Sequence, residues 1–96
     1  MPRTVVVTDQ ALRDLEEIHD YIARDKPRAA KKFIEGLERK FQTLATFPEL
    51  GAACDLVGSG LRIHSAGNYV ILYEPLPDGI RVVKVVDGRR GQSPGY

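Results

Sequence analysis

A chain of 96 residues with 43% apolar side chains can bury one small core and has no room for a second, so a single domain spanning residues 1–96 is expected. Its 14 Lys and Arg nearly balance 13 Asp and Glu, and a formal charge of +1 excludes the broad basic footprint of a general nucleic-acid binder. The lone Cys54 excludes an intrachain disulfide framework and suits a reducing compartment.

The opening MPRTVVVTDQ holds a three-valine run too short for a signal peptide or a membrane span, so a cytoplasmic protein with no membrane partner is expected. His19, His64 and Cys54 stand far apart without metal-ligand spacing, and no metal or cofactor is expected.

Arg3 to Val7 is rich in β-branched residues and predicts a short first strand. Thr8 follows as an N-cap, with Asp9 placed to meet the free amides of a first helical turn. The helix runs to about Arg24. Leu12, Leu15, Ile18 and Ile22, with Tyr21 beside them, recur at three and four and are expected on one face. Asp25 and Lys26 lead into Pro27, whose missing amide hydrogen costs nothing at a helix start, so a second helix folds straight back on the first. Its stripe runs through Ala29, Ala30, Phe33, Ile34, Leu37, Phe41, Leu44 and Ala45, and Phe47 and Pro48 end it.

Glu49 to Gly60, broken by Gly51, Gly58 and Gly60, reads as a crossing loop in which Leu56 and Val57 pin the chain to the core edge. Three strands follow, Leu61 to Ser65, Tyr69 to Glu74 and Ile80 to Val86, joined by turns at Ala66 to Asn68 and Pro75 to Gly79. The class is therefore α+β in the order β-α-α-β-β-β, an antiparallel sheet with a helical hairpin packed on one face.

Strict alternation puts Tyr69, Ile71 and Tyr73 on one side of the sheet and Val70, Leu72 and Glu74 on the other. In the last strand Ile80, Val82, Lys84 and Val86 alternate with Arg81, Val83, Val85 and Asp87. Neither side is wholly polar, although a helical hairpin covers only one. The surplus of valine, isoleucine and tyrosine points to a partner protein on the second side; the strand preference of these residues is the competing explanation.

Gly60-Leu61-Arg62, Gly67-Asn68-Tyr69-Val70-Ile71-Leu72-Tyr73 and the closing run from Gly79-Ile80-Arg81 to Asp87-Gly88-Arg89-Arg90 stand in an order that resembles the RelE/ParE superfamily of type II toxins. Leu15, Ile18, Tyr21-Ile22 and Phe33 through Leu44 carry the helical part, and Phe47-Pro48 before Gly51 is similar to the family's helix-ending segment. The resemblance covers almost the whole chain. Asp87 stands where members commonly have histidine, and Gly91 where an acidic residue often follows. Any role of that histidine is absent here, while the arginines remain.

Two mechanisms are implied by the resemblance. RelE-like members cleave messenger RNA on the ribosome, which calls for cations at the phosphate and a group that moves the 2′-hydroxyl proton. Arg62, Lys84 and Arg90 are the candidate cations, and Tyr73, Tyr69 or Tyr96 the candidate proton carriers. Glu49 and Asp55 occupy the loop where a basic cluster would suit a phosphate-rich partner. ParE-like members poison DNA gyrase as protein-binding inhibitors rather than enzymes, and the long helical hairpin and near-neutral charge favour this branch.

On the ParE-like reading Arg62, Arg81, Lys84, Arg89 and Arg90, with Tyr69 and Tyr73, are the candidate partner-binding residues. The tyrosines are expected half in the core with hydroxyls at the rim, and Arg62 is expected near Tyr73 or Glu74, where an ion pair would also explain it. Lys84, flanked by valines, either reaches past the sheet edge or meets an acidic partner. His64 is expected on the surface and Cys54 as a buried thiol. The resemblance further implies a cognate antitoxin, ParD-like or similar, that binds through a flexible C-terminal segment, with operator DNA reached only through it. Asp87 keeps a third reading open, an inactive homologue that acts only as an antitoxin-binding co-repressor.

Overall fold

A computed structural model describes residues 3–54 and 60–88. Leu56 and Val57, and the candidates Arg89, Arg90 and Tyr96, lie outside the described residues. The chain runs β1 (Thr4–Val7), α1 (Asp9–Ala23), α2 (Pro27–Thr46), a short 3₁₀ turn (Pro48–Leu50), β2 (Ala52–Ala53), β3 (Arg62–Ala66), β4 (Tyr69–Leu76) and β5 (Gly79–Asp87). The five strands form one sheet in the order β1-β5-β4-β3-β2. The expected α+β order holds, with two refinements. The chain after β1 passes through both helices and the meander before β5 comes beside it, and β1 runs parallel to β5, so the sheet is mixed and not wholly antiparallel. Within the expected crossing loop, Ala52 and Ala53 pair with Ile63 and Arg62 as a fifth strand.

The helices start where their caps dictate. The Thr8 hydroxyl accepts from the Ala11 amide at 3.1 Å, and Pro27 opens α2. The buried face of α1 is narrower than the expected stripe. Ala11 and Ile18 are buried and Leu15 and Ile22 pack at the core margin, while Leu12 (49% exposed) and Tyr21 (56% exposed) stand outside it. Nine residues apart on a helix is half a revolution, so Leu12 and Tyr21 flank opposite borders of the buried arc. In α2, Leu37, Phe41, Leu44 and Ala45 enter the core as expected. Gly36 is half-buried, and a methyl there would meet only the Arg39 guanidinium at 3.8 Å. Gly36→Ala is expected to stabilise the chain by about 0.5–1 kcal/mol, read as a raised urea midpoint.

Gly67 takes φ 61° as the first central residue between the paired Ala66 and Tyr69, a conformation that fits the primed hairpin turns. At the other end β4 continues through Pro75 to Leu76, two residues beyond the expected stop. β3 reaches only to the Arg62–Tyr73 pair, so Pro75 stands where β4 has become an edge and its missing amide hydrogen breaks no ladder there.

The register between β4 and β5 departs from plain alternation. Tyr73 pairs with Val82, but Leu72 pairs with Lys84, so Val83 is an extra residue. This bulge reverses every side chain that follows. Ile80, Val82 and Val85 pack toward the helices, and Lys84 lies opposite Leu72 on the other face, correcting the expectation that Lys84 aligns with Ile80 and Val82. β1 ends beside Val82, and past that point side chains from the start of α1 take over the free edge of β5. Thr8 donates its amide to the Val82 carbonyl and its hydroxyl to the Val83 carbonyl, each at 3.1 Å. Asp14 accepts the Val85 amide at 2.9 Å. No buried side-chain nitrogen or oxygen among the described residues lacks a partner.

Candidate functional site

Pairing sorts the candidate residues onto two faces. Arg62 lies opposite Tyr73 and His64 opposite Ile71, on the face that the helices cover over β1, β5 and β4. Glu74 lies opposite Arg81, Leu72 opposite Lys84, and Val70 opposite Val86, on the face turned away from the helices. Ile63 and Ser65 of β3 join that open face through their pairing with Leu72 and Val70, and Val6 of β1 joins it beside Arg81.

Tyr73 is not at the rim as expected. It is fully buried, and its hydroxyl donates to the Pro48 carbonyl while accepting the Gly51 amide at 2.9 Å. Arg62 donates to the Gly51 carbonyl, and it makes no ion pair with Glu74 or any other described residue. Together Tyr73 and Arg62 clamp the segment that leaves α2 against the sheet. Gly51 is required at the clamp, because a β-carbon would come within 2.7 Å of the Ile63 carbonyl oxygen and closer still to the Tyr73 hydroxyl. Burial raises the Tyr73 pKa above its ordinary value near 10.0; the Gly51 hydrogen bond and the Arg62 charge oppose this, and Glu49 reinforces it. Tyr69 is also buried, with its ring tilted against Phe33 at 5.2 Å.

The open face is apolar with charges set among the strands. Leu72 is 2% exposed there, while Val70, Val86 and Ile63 keep part of their surface. Arg81 and Glu74 form a cross-strand ion pair, both about 40% exposed. Lys84, half-buried beside them, makes no hydrogen bond or ion pair with any described residue. Cys54 is buried, as expected, and His64 is half-buried. No group of three or more His, Cys, Asp or Glu that could hold a metal occurs among the described residues. No helix of the described residues is long and apolar enough to cross a membrane.

Residues 5–91 match the family described as the ParE toxin of type II toxin-antitoxin system, parDE. The chain belongs to the ParE toxin family. Among solved structures, this ParE-family chain is similar to a protein from the chromosomal ParDE system of P. aeruginosa, with TM-score 0.74 and 17% identity over 88% of this chain and 95% of that one. It is also similar to a chain of the toxin-antitoxin complex RelBE2 of Mycobacterium tuberculosis, with TM-score 0.66 and 23% identity over 91% and 99%. These likenesses concern the fold. No curated protein matches the chain.

The ParE-family sequence concealed the structural roles of Asp14 and Gly51. Asp14 had a detectable signal: it stands three residues after the buried Ala11 and four before Ile18, a helical spacing that aims an acidic side chain toward the sheet.

Proposed function

We propose that this ParE-family toxin acts by binding DNA gyrase as a protein inhibitor and is neutralised in the cytoplasm by a cognate antitoxin. One observation carries the reading. Among the described residues, the candidates for a RelE-like nuclease do not converge: Arg62 and Tyr73 belong to the helix-covered face and Lys84 to the opposite one. Phosphoryl chemistry needs its cations and proton carrier within hydrogen-bond reach of the same reacting group, and a sheet stands between these. The Tyr73 hydroxyl is also committed to two backbone partners.

The open face suits a protein. A lysine with no partner among the described residues, set amid valines and Leu72 beside the Arg81–Glu74 pair, fits a partner surface that is apolar with an acidic group aligned to Lys84. The antitoxin's flexible C-terminal segment supplies that chemistry, and operator DNA is reached only through it. The Asp87 substitution supports the second reading, a non-toxic homologue that serves as co-repressor.

Induction of the chain alone in bacteria tests these readings together. Growth arrest with gyrase-linked DNA breaks and intact messages is the expected result. Arrest with cuts in messages at the ribosomal A site overturns it for the nuclease, and unimpaired growth overturns it for the co-repressor.

A further inference from the structure

The bulge at Val83 decides which face Lys84 occupies. With unbroken alternation after Tyr73–Val82, Leu72 would meet Val83 and Ile71 would meet Lys84, carrying the ammonium into the helix-packed core and Val85 out of it. The observed register does the reverse, with Val85 buried in the core and Lys84 on the open face. Two hydrogen bonds from one helix bracket the extra residue: the Thr8 hydroxyl to the Val83 carbonyl, and the Val85 amide to Asp14 Oδ2. The second oxygen of Asp14 accepts from Gln10 Nε2 at 2.8 Å, which fixes the carboxylate in place. β1 has ended by this point, so no neighbouring strand accepts the Val85 amide, and an amide left there without an acceptor would be costly.

We infer that Asp14 is a positioning residue for the protein-binding face: its acceptance of the Val85 amide holds the bulge and so keeps Lys84 on the open side of the sheet. This rests on the proposed function together with one added step, that the face the antitoxin covers is also the surface that meets gyrase. The cost of burying an ammonium also keeps Lys84 out of the core, so the clean test removes that second force.

In Lys84→Val the bulge is expected to persist, seen as a cross-strand Hα–Hα contact between Ile71 and Val85. In Asp14→Ala/Lys84→Val the contact of Ile71 is expected to move to residue 84, and Asp14→Asn/Lys84→Val, which retains an acceptor oxygen, is expected to restore it to Val85. Persistence of the bulge in the Asp14→Ala double variant overturns the inference, as does failure of asparagine to restore it. If these variants do not fold, the unaltered chain decides: the Val85 amide should be protected from hydrogen exchange although β1 has ended there, and free exchange at Val85 overturns the inference.

Inhibition of purified gyrase holoenzyme in a supercoiling assay completes the set. Lys84→Ala is expected to weaken inhibition about tenfold or more, and Asp14→Asn to spare it. Lys84→Ala that leaves inhibition unchanged refutes the reading of the face as the gyrase-binding surface, while the register measurement still judges Asp14 independently.

Discussion

Gly79→Ala is expected to detach β1 and lower stability by about 3 kcal/mol, one of the largest effects of any single methyl in the chain. A β-carbon at Gly79 would lie 2.7 Å from the Thr4 carbonyl carbon and 2.8 Å from its nitrogen, and closer still to its carbonyl oxygen. These neighbours are backbone, so no rotamer change relieves the contact. Moving Thr4 away breaks its amide bond to the Asp78 carbonyl at 2.9 Å and its hydroxyl bond to the Asp78 carboxylate. It also pulls Val5 and Val7 from the core margin, where each contributes on the order of 1–2 kcal/mol. Thermal denaturation should show a melting temperature lower by roughly 10–20 °C. Hydrogen exchange should place the loss of protection in Val5 to Val7. Gly88→Ala is the control, since its β-carbon would meet the Asn68 carbonyl and a Val70 methyl at 3.3 Å, a contact that a small shift absorbs. An unchanged melting temperature in Gly79→Ala would refute the close approach of β1.

Periodicity made the helical hairpin and the meander legible, because burial there follows local spacing. It gave the stripe of α2 almost residue for residue, with Leu37, Phe41, Leu44 and Ala45 inside. On α1 the same reasoning admitted Leu12 and Tyr21, since a 15-residue helix lying along the margin of a small sheet buries a narrower arc than its apolar residues could fill. The parallel placement of β1 depends on where the hairpin returns the chain, which strand composition does not encode. Gly79 bears on that placement, but in sequence it reads only as a turn glycine after Asp78.

The candidate site was legible in composition and not in geometry. That Arg62, Tyr73, Arg81 and Lys84 lie on adjoining strands follows from the sequence, and the pairings bear it out. Which face Lys84 occupies turned on one bulge, and that bulge is held by hydrogen bonds between residues about seventy positions apart, such as Asp14 with Val85. Alternation assumes no such residue, so every assignment from Lys84 on was reversed. Arg62 and Tyr73 likewise looked like surface chemistry because their partners, the carbonyls of Gly51 and Pro48, are backbone groups that carry no sequence signature.

Tyr73→Phe isolates the hydroxyl of the clamp. The ring stays in the core, but the Pro48 carbonyl loses its donor and the Gly51 amide its acceptor, at a cost of about 1–3 kcal/mol. Tyr73→Ala adds a cavity under α2 and should cost roughly 3–5 kcal/mol, enough to unfold a chain of this size at modest temperature. The two variants together separate clamp from core. The pH dependence provides a further check with a definite sign. Burial raises the Tyr73 pKa in the folded chain above its ordinary value near 10.0, so the folded state holds this proton more tightly than the unfolded state does. The associated stability is fully present below that ordinary value and is lost as pH rises through the raised one. Urea midpoints of the unaltered chain should therefore fall across the alkaline range above about pH 10. In Tyr73→Phe the curve should start lower and fall less steeply there, since no phenol at this position remains to ionise. Equal alkaline slopes in the two proteins would show that Tyr73 is not the group whose ionisation opens the clamp.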